Sequence, residues 1–117
     1  MINWFEIPAT NIDRAISFYS ELFSVEITKT DCGEEQYGFF PQDSEFTGMI
    51  SKADKFNPSR DGVVLYFDPG ENFDEILKKV ENLGGEIVRP KTKIDDDKGY
   101  FALILDSEGS RIGFYTR

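Results

Sequence analysis

Histidine is absent from the 117 residues, and cysteine and tryptophan occur once each. Without an imidazole the chain lacks the commonest ligand for zinc, iron and copper and the commonest general base at neutral pH. Carboxylate sites for magnesium, manganese or calcium stay open. Basic residues are scarce as well: 13 Lys and Arg stand against 22 Asp and Glu, for a net charge of -9. No basic cluster offsets the repulsion of a phosphate backbone, so nucleic acid is not an expected partner. Long apolar runs are missing too. The longest, Gly99–Leu105, is too short to cross a bilayer, and Met1-Ile2-Asn3-Trp4-Phe5-Glu6 has neither the basic segment nor the apolar stretch of a secretory signal. The expectation is a cytoplasmic protein with no membrane partner. Cys32, between Asp31 and Gly33, fits a reducing compartment. With no histidine to activate it, it reads as an inert turn residue.

What is present is a repeat. An offset of 61 residues lays Pro8-Ala9-Thr10-Asn11 on Pro69-Gly70-Glu71-Asn72. The same offset lays Ile12, Ala15, Ile16, Tyr19 and Leu22 on Phe73, Ile76, Leu77, Val80 and Leu83. That spacing is one stripe of an amphipathic helix, opened each time by an Asn able to cap it. The second helix is expected to stop at Gly84-Gly85 and the first near Phe23. Segments rich in β-branched and aromatic residues flank the helices and predict strands. In the first half these are Ile2–Ile7, Val25–Thr30, Gln36–Phe40 and about Thr47–Ser51; in the second, Val63–Asp68, Glu86–Arg89, Tyr100–Leu105 and Arg111–Tyr115. Each half therefore reads β-α-β-β-β. The fold class is α+β, with modules 1–52 and 61–117 joined by a polar linker 53–60 within one domain.

One helix covers one face of a sheet and leaves the other bare. Alternation puts Phe5 and Ile7 beneath the first helix, with Ile2, Trp4 and Glu6 on the far face. In the last strand Ile112 and Phe114 suit a core, while Arg111, Gly113 and Tyr115 share the opposite face. Two bare faces brought together predict a mixed, curved sheet around a cleft lined by Trp, Tyr, Glu and Arg. Asp95-Asp96-Asp97-Lys98-Gly99 lacks the spacing of a calcium loop and reads as a hairpin turn. The 11 Phe and 5 Tyr exceed what one small core requires; the surplus can line a ligand cleft or a dimer seam.

These residues carry a family resemblance. Phe18-Tyr19 following Asn11, with a strand before it, and Asp106-Ser107-Glu108-Gly109-Ser110-Arg111-Ile112 near the end resemble the vicinal oxygen chelate superfamily. That superfamily holds glyoxalase, bleomycin resistance proteins and extradiol dioxygenases. The resemblance runs the length of the chain and implies the paired βαβββ fold. It also implies metal ligands, His, Gln or Glu, on the first and last strands of each module. Those positions fall on Trp4, Leu65, Gly48 and Gly113, with Val64 the alternative to Leu65, and none of these side chains chelates a divalent metal.

The expected function is accordingly binding of a small apolar or cationic molecule in an acidic, aromatic-lined cleft, with no cofactor and as a homodimer. Trp4 would stack on the ligand and Glu6 would supply charge, the alternatives being a Trp4 that fills the metal space and a Glu6 paired with Arg111 or a lysine. Arg111 and Tyr115 would fix an anionic or hydroxylated group or lie at the rim. The alternative is an enzyme of lyase or dioxygenase type, either with Glu6 as a general base or with its metal ligands elsewhere. A plainer third reading is a dimeric interaction module with a filled cleft.

Overall fold

A computed structural model of the chain describes residues 2–42 and 47–117. Two compact units, Met1–Pro58 and Ser59–Arg117, divide it. The first runs β1 (Phe5–Pro8), α1 (Ile12–Phe23), β2 (Thr28–Cys32), β3 (Glu35–Phe39) and β4 (Gly48–Lys52). The second runs β5 (Tyr66–Phe67), α2 (Phe73–Asn82), β6 (Glu86–Asp95), β7 (Gly99–Leu105) and β8 (Arg111–Thr116). Each unit is thus one βαβββ module with a four-stranded mixed sheet, ordered β1-β4-β3-β2 and β5-β8-β7-β6. In each, the short first strand runs parallel to the last, and the other pairings are antiparallel.

Both helices begin where the repeat places them. Asn11 accepts from the Arg14 amide and Asn72 from the Glu75 amide, each at 3.0 Å, satisfying a first-turn donor that the helix cannot pair itself. The apolar stripes are buried: Ile12, Ala15, Phe18, Tyr19 and Leu22 on α1, and Phe73, Ile76, Leu77 and Val80 on α2. They cover one face of their sheets. Under α1 the rings of Tyr19 and Phe40 meet at 5.9 Å and those of Phe40 and Phe5 at 5.4 Å. Under α2 lie Ala102, Ile104, Ile112 and Phe114, all at most 2% exposed, with the Phe73 ring edge-on to Phe114 at 6.4 Å. Each such large apolar side chain contributes about 1.5–3 kcal/mol by leaving water.

Several strands differ from their predicted extents, each for a local reason. β1 starts at Phe5 rather than Ile2, because its parallel partner β4 starts at Gly48; Ile2 is 82% exposed. β5 shrinks to Tyr66–Phe67, and Val63 lies outside it. β2 begins at Thr28 instead of Val25. Ser24 takes the left-handed conformation (φ 54°) that ends α1 without a glycine, and the Val25 amide still bonds back to Ser20. β6 runs past Pro90 to Asp95, since the ladder breaks register between Arg89 and Thr92 and this is an edge strand, where a missing N–H is tolerated. Cys32 closes β2 opposite Glu35 rather than sitting in the turn; its thiol is free and exposed. The Asp95–Gly99 hairpin is a turn: the Asp95 carboxylate accepts from the Lys98 ammonium first, and then from the amides of Asp97 and Lys98, which together hold it below the usual carboxylate range. No helix among the described residues is long and apolar enough to cross a membrane.

The Asp106–Arg111 motif is a turn joining β7 to β8. Asp106, only 3% exposed, accepts from the amides of Glu108 (2.9 Å) and Ser110 (3.0 Å), while Gly109 supplies a φ of 90°. Hydrogen bonds to a buried charged acceptor are the stronger kind. Asp106→Ala is therefore expected to cost about 1.5–3 kcal/mol in denaturant unfolding, against about 1 kcal/mol for the cap variant Asn72→Ala. Equal losses would mean that the carboxylate does not organise the turn.

Candidate functional site

Because α1 occupies one face of the first sheet, the other is identified by strand alternation. Gly38 lies on the helix face: a Cβ there would meet Ile16 at 2.7 Å and Ile27 at 3.1 Å. Its neighbours in sequence point away. Across the strands, one row on the far face reads Glu6, Met49, Phe39, Thr28, and the next reads Pro8, Ser51, Tyr37, Thr30. Trp4, just ahead of β1, joins them: its ring lies 6.5 Å from Phe39, which lies 6.0 Å from Tyr37. An aromatic strip of Trp4, Phe39 and Tyr37 therefore runs beside Glu6. Trp4 is 41% exposed. Glu6 is exposed and has no hydrogen bond or ion pair among the described residues.

The strip's far end is held by charge. The Tyr37 hydroxyl donates to the Glu35 carboxylate, and the phenol is pushed up to about 12, by that bond first and then by partial desolvation and the negative charge of Glu35. Glu6 adds to the same effect. The phenol thus stays a neutral donor across the physiological range.

In the second sheet the face away from α2 carries Tyr66, Gly113, Leu103 and Arg89 in one row. Tyr115, Phe101 and Thr92 form the next. Arg111, Leu105 and Glu86 form the row on the other side of the first. The Tyr66 ring lies over Gly113: a Cβ there would come within 2.5 Å of the ring and 3.0 Å of the Ala102 carbonyl. The Arg89 guanidinium rests on the Phe101 ring at 5.1 Å. The Tyr115 hydroxyl is already committed, donating to the Lys98 carbonyl at 2.7 Å. Arg111 Nε is shielded from solvent and without a hydrogen-bond partner.

The two modules are not related by one offset throughout. Ile7 and Phe67 both face their helices, paired with Ile50 and Phe114, yet the stretch from Phe67 to the Asn72 cap is one residue longer than that from Ile7 to Asn11. In a strand, one residue exchanges the faces. Gly48, paired with Phe5, lies on the helix face of its sheet under the Phe5 ring, where a Cβ would meet ring atoms at 2.4 Å. Met49 occupies the far face at that level. Continuing the alternation, Leu65 falls with Phe67 and Val64 with Tyr66. The far-face positions in matching register are Trp4, Met49, Val64 and Gly113, none of which carries a carboxylate, imidazole or thiolate. No group of three Cys, Asp or Glu side chains suited to a metal gathers among the described residues. The residues present do not fit a chelated divalent ion.

A separate surface depression of about 300 Å3 in the first unit is lined by Ala9, Thr10, Lys52, Lys55 and Phe56 among others. It includes none of the site residues expected from the sequence, and no motif pointed to it. Sequence reasoning also missed Phe39, Tyr37 and Tyr66, whose only available signal was aromatic alternation along strands of uncertain phase.

A family model described as the Glyoxalase/Bleomycin resistance protein/Dioxygenase superfamily matches residues 1–114. Among curated proteins no match is found. Among solved structures the chain is similar to a glyoxalase family protein from Enterococcus faecalis (20% identity, TM-score 0.74, covering 99% of this chain and 97% of that one). It is also similar to a glyoxalase family protein from Bacillus cereus (17%, 0.73, covering 97% and 91%). Glyoxalase I from Zea mays matches over 99% of this chain at 16% identity and TM-score 0.73. The chain spans only 44% of that enzyme's length. Identities this low establish the shared fold.

Two outcomes test this geometry. Gly113→Glu, which places a carboxylate at a family ligand position, is expected to lose about 1–3 kcal/mol because the Tyr66 ring holds that space. In the Tyr66→Ala background the loss should shrink; an undiminished loss would remove the ring as its cause. Ultraviolet titration should reveal a phenol with a pKa of about 12 that falls towards the ordinary value of about 10 in Glu35→Gln. No change in that variant would mean the hydrogen bond is not what raises Tyr37.

Proposed function

This chain belongs to the glyoxalase/bleomycin resistance protein/dioxygenase superfamily, and we propose that it is a member that binds a small apolar or cationic molecule without chelating a metal. The observation that carries the reading is the strip of Trp4, Phe39 and Tyr37 beside an unpaired Glu6 on the face of the first sheet that α1 leaves bare. Aromatic rings offer a flat apolar surface, and their faces attract cations by about 0.5–1 kcal/mol each at exposed sites. Glu6 adds a carboxylate within the same patch. Met49 behind them is flexible enough to adapt to ligands of different shape.

The family's metal chemistry requires donors that this chain does not place on the relevant strands, so no reaction step through a metal is derived. Among the described residues Glu6 is the carboxylate beside the strip that no hydrogen bond engages. A homodimer and a reducing, cytoplasmic setting belong to the same reading. The first is supported by exposed apolar residues such as Ile2 and Val63, the second by the free thiol of Cys32.

Trp4, the single tryptophan, provides a direct reporter. Titration with a panel of neutral and cationic aromatic compounds is expected to change its emission. Binding of the cationic members should weaken about two- to fivefold in Glu6→Gln, the worth of an exposed charge. Unchanged emission and an unmoved melting temperature across the panel would refute the binding reading. Metal found in stoichiometric amount after purification without chelator would refute its metal-free part.

A further inference from the structure

We infer that Asp61-Gly62 is a self-modification site, at which the Asp61 carboxyl closes on the Gly62 amide and the main chain is rerouted through the aspartate side chain. The inference uses none of the residues of the Trp4 strip and does not rest on that reading.

The reaction needs a carboxyl, the amide nitrogen of the next residue, and room for the two to meet. Asp61-Gly62 is the one Asp-Gly pair in the chain, and no Asn-Gly pair occurs. Both residues are exposed and lie outside the helices and strands. The main chain around them is held while the reacting groups are not. The Ser59 hydroxyl accepts from the Asp61 amide at 3.0 Å and donates to the Asp61 carbonyl at 3.2 Å. Neither the Asp61 carboxylate nor the Gly62 amide has a hydrogen bond or ion pair among the described residues. Gly62 has a φ of 99°, and no atom lies within 4 Å of where its Cβ would stand. The carboxyl can therefore approach the nitrogen unhindered, and the backbone can turn at little cost as the ring closes.

The fold supplies a contrast at Asp106-Ser107, where the following residue is also small. Asp106 is 3% exposed, and its carboxylate accepts from the amides of Glu108 and Ser110, so ring closure there would break bonds that hold the turn. Asp68 precedes Pro69, which has no N–H to give up. The remaining aspartates among the described residues precede residues bulkier than serine.

The step balances with water alone. The Asp61 carboxyl, protonated from solvent, forms a bond from Cγ to the Gly62 nitrogen; the nitrogen gives up its proton and one carboxyl oxygen leaves as water, closing a succinimide ring. Water then adds to one of the two ring carbonyls. Opening at Cγ restores aspartate. Opening at the main-chain carbonyl leaves an isoaspartyl link, with the charge unchanged and the backbone one carbon longer. That carbon falls in a constrained span: the Ser59 carbonyl accepts from the Arg111 amide at 3.1 Å and the Leu65 carbonyl from the Gly113 amide at 2.8 Å, so the added length must be absorbed between two ties to β8.

Ageing the purified protein in weakly acidic buffer and then at neutral pH tests the proposal, with mass spectrometry and electron-transfer fragmentation locating the change. The first stage is expected to yield a form lighter by one water at Asp61, and the second to restore the mass with part of the protein in the isoaspartyl linkage. In the folded protein Asp61 should convert within about tenfold of its rate in the urea-unfolded chain, and Asp106 at least about tenfold more slowly than in that chain. Asp61→Glu keeps the charge but needs a larger ring, and should slow conversion at position 61 about tenfold or more. It alters an exposed side chain with no partner among the described residues, so the variant is expected to fold. Protection of Asp61 by more than about tenfold on folding, equal conversion of Asp61 and Asp106 in the folded protein, or an unchanged rate in Asp61→Glu would overturn the proposal.

Discussion

Each four-stranded sheet has one helix to cover it, and that imbalance is the constraint on which the rest of the molecule depends. α1 and α2 each present one apolar stripe, which buries one face: Tyr19 over Phe40 and Phe5 in the first unit, Phe73 over Phe114 in the second. Because side chains alternate along a strand, choosing the covered face also chooses the other. The candidate site residues of both modules follow from that choice. Glu6 points away from α1 because Phe5 and Ile7 face it, and Arg111 points away from α2 because Ile112 faces it.

The same rule explains why the family's metal positions are so sensitive to register. A single extra residue between β5 and the Asn72 cap leaves the helix in place but changes which residue of the preceding strand faces it. Phe5 therefore covers Gly48 on a helix face, whereas Tyr66 covers Gly113 on the opposite kind of face. In both cases an aromatic ring lies over a glycine on the adjacent parallel strand, and in both the missing Cβ is what gives the ring its space. The space into which a side chain at position 113 would project is filled by the Tyr66 ring.

The sequence made the modules legible because their strongest signals are helical: a five-position stripe opened by Asn11 or Asn72 survives small errors of phase. The strands were legible only in outline. Ile2–Ile7 reads as a strand by composition, but its length is set by where β4 begins, which local pattern does not report. Pro90 reads as a stop and is instead accommodated in an irregular edge. Leu65 followed from a uniform offset, and one inserted residue was enough to move it to the other face; Gly48 followed from matching the last strands, which was out by one residue. Trp4 and Glu6 were accessible to alternation alone. Phe39 and Tyr37 became part of the site only once the β3–β4 register placed them beside Met49 and Ser51.

Net charge is the property that changes most between the two levels. At -9 the chain as a whole favours cations, and the Glu6 face agrees with it. Yet a ligand meets a face and not a sum, and screening confines the remote charges to a diffuse background within about 8–10 Å at physiological salt. On the second sheet the charged groups whose rows lie away from the helix include Arg89, Arg111, Glu86 and Asp95, the last held by the Lys98 ammonium, so the local balance is near neutral. Some of the acidic residues that set the total hold turns: Asp31 and Asp95 accept from backbone amides in their hairpins, and Asp106 is buried in its own. Their charge is occupied in holding the chain in shape, and the balance a ligand would meet differs from one face to the other.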